Sequence, residues 1–190
     1  MAVELGSYPM LKWLRRMGWG WTAECCSCAV KQNNVEMLKW LRENQCPWDV
    51  DSCYAAARCG NLEMLKWLRE NGCPWQPHAV SQVAALGGHL ETLQWLIKNG
   101  STWTKFTCAA AAEGGKLGVL QWLRENGCAW DCRTCEKAAA NGHLEVLKWA
   151  RENGCPWDNR VCHAAALGGH LETLQWLREQ GCPWTSATCS

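Results

Sequence analysis

Two tryptophans eight residues apart recur along the whole chain, as Trp13/Trp21, Trp40/Trp48, Trp67/Trp75, Trp95/Trp103, Trp122/Trp130, Trp149/Trp157 and Trp176/Trp184. Successive pairs lie 27 residues apart, with one step of 28. A fixed period of this length marks one supersecondary unit that has been copied and stacked. Such a chain buries its apolar faces between neighbouring copies, so its length counts repeats rather than domains. Stacked repeats present surfaces and rarely build one deep catalytic pocket.

The unit is clearest from Trp130 to Trp157. Its first half holds a short alanine-rich stretch, Cys135 to Ala140, which ends at Asn141-Gly142, a helix-closing turn signal. Its second half, His143 to Asn153, carries Leu144 and Leu147 at helical spacing, and the sister copy extends the stripe with Leu171, Leu174 and Leu177. Glu sits in the first turn and Arg near the end, as the helix dipole favours. Asn153-Gly154 closes the segment and Pro156 follows, where a helix cannot continue. Each repeat therefore reads as two short antiparallel helices and a tight connection. The alanines cost least in a helix, and their small size lets the first helix lie close to its neighbours.

These residues resemble a known family. Ala-Ala-x-Gly-Gly-His-Leu-Glu-x-Leu, at 165–174 and 84–93, is similar to the core of the ankyrin repeat, and Asn-Gly-Cys at 153–155 is similar to that family's helix-ending Gly-Ala. The resemblance covers about residues 10–189. It implies an all-α solenoid of helix-turn-helix repeats that binds other proteins along a concave groove lined by turn tips and first helices. Two departures stand out. The family period of 33 is 27 here, with roughly six residues missing where ankyrins place a β-hairpin. The Leu of the family's Thr-Pro-Leu-His turn is replaced by Cys53, Cys108, Cys135 and Cys162. Shortened or absent hairpins, reduced to Cys-Pro-Trp-Asp turns, are expected. The rival reading is a leucine-rich repeat, since Leu-x-x-Leu-x-Trp imitates Leu-x-x-Leu-x-Leu. That pattern asks for Asn or Cys three residues after the Trp, a slot that Glu152 fills.

On this register the single repeat domain, 1–190, divides into a half repeat (1–21), six hairpins (22–48, 49–75, 76–103, 104–130, 131–157 and 158–184) and a stub (185–190). The third hairpin carries its extra residue near Gln76-Pro77-His78. Neither end reads as the polar capping repeat that solenoids need for solubility. The chain is therefore expected to belong to a longer array or to meet a partner at its ends.

Nineteen basic against 18 acidic residues leave a formal charge of +1, so no field of one sign draws in nucleic acid or a membrane surface. The N-terminus shows no basic segment followed by an apolar run, and no stretch approaches the length of a membrane span. An intracellular protein, cytoplasmic or nuclear, is expected. Fifteen cysteines, an odd number, recur mostly at two repeat positions and read as reduced thiols that pack as small hydrophobes.

Several residues suggest chemistry. The tryptophans look like a stacking platform, but a large aromatic repeated at one slot reads first as core; Trp19, which breaks the pattern, is expected to be the exposed one. Cys25/Cys28 and Cys132/Cys135 have zinc-ligand spacing. They lie four repeats apart, on the order of 40 Å at roughly 8–10 Å per layer, so they cannot share an ion. A local site would use Cys128, Cys132 and Cys135. The same layer spacing exceeds the roughly 7 Å Cα limit for disulfides between equivalent cysteines of adjacent repeats, leaving a pair within one turn, such as Cys46 and Cys53. His89, His143 and His170 open the second helices in a repeated, structural slot. Glu36, Glu63, Glu91, Glu145 and Glu172 form one charge column and Arg42, Arg69, Arg124, Arg151 and Arg178 another, read as a solvated back face. No nucleophile–base set or phosphate loop is present, so neither an enzyme nor a cofactor is expected.

Positions that stay constant between copies serve stacking, and positions that vary are free for a partner. One residue after the repeated Cys the copies read Ser27, Tyr54, Gln82, Ala109, Glu136 and His163. Three residues after each second Trp they read Glu24, Asp51, His78, Phe106, Arg133 and Arg160. Tyr54, His78, Phe106, Arg133, Glu136, Arg160 and His163 are the expected protein-binding residues, since aromatics and Arg dominate interface energetics. The expected function is a non-enzymatic scaffold for protein–protein interaction. The alternative is a metal- or redox-responsive, cysteine-rich repeat protein.

Overall fold

The computed structural model describes residues 8–183. Within them are 13 helices and no strand. The first helices of the hairpins are α2 (Ala23–Lys31), α4 (Val50–Arg58), α6 (Pro77–Gly87), α8 (Lys105–Glu113), α10 (Cys132–Ala140) and α12 (Asn159–Leu167). Their second helices are α3 (Val35–Glu43), α5 (Leu62–Glu70), α7 (Leu90–Lys98), α9 (Leu117–Glu125), α11 (Leu144–Glu152) and α13 (Leu171–Glu179), with α1 (Tyr8–Arg16) as an unpaired second helix in front. Every helix has nine residues except α6, which has 11 and absorbs the extra residue of the third hairpin. Trp184 and the stub 185–190 lie outside the described residues.

Local sequence sets the helix ends. The Asp that follows a second Trp caps the next first helix: Asp49, Asp131 and Asp158 accept the amide N–H two residues on, each at 3.0 Å. Thr104 does the same for α8, and with Thr107 it forms a reciprocal capping box. Asn34 and Asn61 cap α3 and α5 through the N–H groups of Met37 and Met64. At the other end, Asn71 Nδ2 donates to the Trp67 carbonyl at 2.8 Å, and Gly72 turns at φ 78° so that the Cys73 N–H reaches the Leu68 carbonyl. The first hairpin makes this left-handed turn with Gln45, at φ 61°.

The first helices pack in one row, α2 to α12, each on the next, and each also packs on its own second helix. Ala56, Ala57, Ala111, Ala112, Ala138 and Ala139 are fully buried in that row. The rest of the core comes from the second helices: Leu38 and Leu41, Leu65 and Leu68, Leu93 and Leu96, Leu120 and Leu123, and Leu147 are all sealed from solvent. The stack is the expected all-α solenoid, and a turn stands where the resemblance would place a projecting hairpin.

The tryptophans differ from the core expectation. From Trp21 to Trp176 they are half-buried and pack against the core without entering it. Each turn Trp meets the helix Trp of the next repeat edge to face: Trp48–Trp67 at 6.0 Å, Trp103–Trp122 at 5.8 Å, Trp130–Trp149 at 5.8 Å and Trp157–Trp176 at 6.0 Å. A ring this large cannot be enclosed by nine-residue helices, so it lies along the flank and staples two layers. Trp19 is 67% exposed, the most of any described tryptophan.

The arginine column is likewise more than a solvated face. The guanidinium groups of Arg42, Arg69, Arg124 and Arg151 lie 3.9–4.3 Å from the ring centres of Trp48, Trp75, Trp130 and Trp157. Those of Arg42, Arg69 and Arg124 also donate to the carbonyls of Cys46, Cys73 and Cys128. Arginine therefore clamps these four turn tryptophans from one side while the next repeat's Trp meets each from another, and Ile97 takes the arginine's place before Trp103.

Candidate functional site

The first-helix row carries the positions that vary between copies, and six of them come together, four of which are expected binding residues. Phe106 on α8, Arg133 and Glu136 on α10, and Arg160 on α12 line one surface depression of 340 Å³, with Gln82, Ala109, Ala110, Glu113 and Lys137 completing its wall. The caps described above place them: Phe106, Arg133 and Arg160 each donate their own backbone N–H to the capping side chain. Their side chains thus leave the first turn of three successive helices in one direction.

The depression is a mosaic of an aromatic ring and paired charges. Phe106 is 43% exposed. The Arg133 guanidinium lies 4.6 Å from its ring centre and 3.8 Å from Asp131. Lys105 bridges to Asp131 at 3.1 Å and Lys137 to Glu113 at 3.0 Å. Arg160 holds Asp158 at 2.8 Å, stands 3.9 Å from Glu136, and donates to the Cys132 sulfur at 2.8 Å. Arg160 hydrogen bonds and charge keep the Asp158 carboxyl below the usual carboxylate range. Exposed ion pairs of this kind contribute little to stability, so a partner's groups exchange for them at small cost.

The other three expected residues lie elsewhere. Tyr54 is half-buried on α4, and its hydroxyl donates to Gln76 Oε1 at 3.1 Å, at the start of α6. His78 is exposed in the first turn of α6, and His163 is exposed on α12.

The proposed thiol cluster is not assembled. Cys128 faces Cys108 at 3.3 Å, Cys135 faces Cys155, and Cys132 meets Arg160. Cys128 and Cys135 point into two different hairpin interiors because the boundary between repeats, at 130/131, falls between them. Among the described residues no three His, Cys, Asp or Glu groups are arranged to hold a metal ion. The Cys46/Cys53 pairing is replaced too: Cys46 faces Cys26, and Cys53 faces Cys73. All described cysteines are free.

The histidines bind layer to layer. His89 Nε2 lies 2.9 Å from the Arg58 carbonyl, His143 Nε2 3.0 Å from the Glu113 carbonyl, and His170 Nε2 3.1 Å from the Ala140 carbonyl. A carbonyl oxygen only accepts, so Nε2 carries the proton. Each ring lies on a glycine of the previous repeat: a Cβ at Gly115 would stand 2.7 Å from His143 Nδ1. Replacing His143 with alanine leaves the last carbonyl of α8 unpaired and is expected to lower stability by about 1–2 kcal/mol. Thermal unfolding measures this loss, and an unchanged midpoint would remove the imidazole from the joints.

Comparison with known proteins agrees with this geometry. The family model described as Ankyrin repeats (many copies) matches residues 26–69 and 135–178. Among solved structures, the chain is similar to the crystal structure of the human ASB11 ankyrin repeat domain, at 20% identity and a TM-score of 0.54, covering 68% of this chain and 69% of that one. No curated protein matches the sequence at a significant level. Ankyrin repeats generally act as protein-interaction scaffolds and are generally non-enzymatic. A two-helix unit with Gly-His-Leu-Glu at its inner turn, stacked on alanine-rich first helices, gives the chain ankyrin repeats in a shortened, 27-residue form over the two matched segments, 26–69 and 135–178.

Proposed function

We propose that this protein is a non-enzymatic scaffold that binds a protein partner on the first-helix row, centred on the depression between α8, α10 and α12. One observation carries the reading. Four of the seven residues chosen because they vary between otherwise constant copies and carry aromatic or charged groups (Phe106, Arg133, Glu136 and Arg160) line a single depression. The combination of an accessible aromatic, two arginines and rigid helical supports is that of an interface hot spot.

Replacing Phe106, Arg133 and Arg160 together with alanine tests the site. Each hot-spot truncation costs about 2 kcal/mol or more, roughly thirtyfold in affinity. The triple variant should therefore lose the proteins that the wild type captures from a cell lysate, identified by mass spectrometry. Its thermal midpoint should stay within a few degrees, because these side chains lie outside the core. Equal capture by both proteins would overturn the site.

A further inference from the structure

Ten of the buried thiols form five pairs with one spacing. A first-helix Cys faces the Cys 20 residues later, in the turn that follows its own second helix: Cys26/Cys46, Cys53/Cys73, Cys108/Cys128, Cys135/Cys155 and Cys162/Cys182. The Cys108 and Cys128 sulfurs are 3.3 Å apart, and none of the ten residues is more than 5% exposed. In the third hairpin both partners change together, to Ser81 and Ser101, whose hydroxyls lie 2.6 Å apart. The second member also donates to a carbonyl at the start of its own first helix, as Cys73 does to Asp49 at 3.4 Å and Cys128 to Thr104 at 3.4 Å. Each pair therefore already joins the two ends of one hairpin through weak hydrogen bonds.

We infer that the five pairs are intra-repeat disulfide sites, which a two-electron oxidant closes one hairpin at a time, leaving the Ser81/Ser101 hairpin as the one unclipped unit among the six. In Cys108/Cys128 closure brings sulfurs 3.3 Å apart to about 2.05 Å, a movement on the scale of side-chain rotation, and no bridge crosses between layers. With diamide as oxidant the step balances. One thiolate adds to the N=N bond, and the partner thiolate displaces that adduct to form S–S. Both thiol protons and two electrons end on the resulting hydrazine. Access requires local opening, which in a repeat stack proceeds through single units. Cys162/Cys182 closes first, because Cys182 is the only one of the ten with residual exposure above zero, at 5%.

The test uses the full chain with Cys25, Cys28, Cys59, Cys132 and Cys189 changed to Ser, which removes the unpaired thiols. After diamide, intact mass should fall by about 10 Da, about 2 Da for each bridge, and no thiol should titrate in denaturant. Peptide mapping should join only residues 20 apart, with Cys162–Cys182 appearing first. Amide exchange in the oxidised protein should then be fastest at 76–103. Adding S81C and S101C should take the loss to about 12 Da and erase that weak unit. Urea below the unfolding transition is included to speed opening. Ten titratable thiols after that treatment, or bridges between other residues, would overturn the inference.

Discussion

Replacing Trp130 with alanine is expected to destabilise the array by about 3 kcal/mol, toward the lower end of aromatic-to-alanine losses because the ring is only half-buried. Three contacts go at once. The ring leaves its edge-to-face contact with Trp149 at 5.8 Å, worth roughly 1 kcal/mol beyond area burial. It no longer lies beneath the Arg124 guanidinium at 4.2 Å, a contact worth about 1 kcal/mol. The apolar surface it covers between the turn after α9 and helix α11 becomes wet. Because Trp130 joins two layers, the loss falls on the interface between repeats, and amide exchange should rise across 104–157 together rather than in one hairpin. Urea unfolding of Trp130→Ala beside Trp19→Ala provides the comparison. Trp19, 67% exposed, should change stability by no more than about 0.5 kcal/mol. Equal effects at the two positions would mean that the tryptophan ladder holds nothing together.

Those contacts also show what the chain's sequence conveys. The repeat length, the two-helix unit and its caps are legible because they depend on local rules: Asp or Thr after the turn Trp, Asn-Gly after the second helix, alanine where helices approach. The histidine slot is legible for the same reason. The tryptophan and arginine columns mislead when each is read alone. A repeated Trp suggests core and a repeated Arg suggests solvent, yet Arg124 lies over Trp130, six residues on, and turns both into a flank clamp. Helical periodicity compares residues within an element, while this contact crosses from a helix to the turn beyond it.

The cysteines teach a related lesson. Spacing within one stretch favours Cys132 with Cys135, or Cys46 with Cys53, but the hairpin folds back and opposes residues 20 apart. One signal in the chain does reveal the pairing: Ser81 and Ser101 replace both members at once. The same comparison of copies located Phe106, Arg133, Glu136 and Arg160. It did not separate them from Tyr54, His78 and His163, because variation marks freedom from stacking and does not say which free positions share a depression.

Raising the pH above about 9 is expected to unfold the reduced protein, and the pairs set the sign. Within a pair, the neighbouring S–H hydrogen-bonds the first thiolate, which lowers Cys53, Cys128 and Cys155. The S–H that donates is then held: Cys73, Cys108 and Cys135 are raised far above the ordinary thiol range by that bond and by burial. Cys46 is raised in the same way beside Cys26, and Cys182 is pushed up to about 12 by burial and by its bond with Cys162. Below pH 8 every raised thiol is protonated in both states and stability does not depend on it. Above the ordinary thiol value of about 8.5, the unfolded chain loses protons that the folded chain keeps. Stability then falls with pH by about 1.4 kcal/mol per unit for each retained proton. The lowered members supply stability that is fully present above the unfolded value, so they add no slope there. Five retained protons (Cys46, Cys73, Cys108, Cys135 and Cys182) act together. A drop of one to two pH units' worth is comparable to the ~5–15 kcal/mol that holds a typical domain folded. The urea midpoint should therefore not fall between pH 6 and 8, where the lowered thiols only add stability as pH rises, and should collapse between about pH 9 and 11, a range set by the ordinary thiol value. Changing Cys108 and Cys128 to Ser, the arrangement the third hairpin already uses, should make the fall shallower by one proton's slope. An equally steep fall after all five pairs are changed to Ser would place the alkaline transition on other groups.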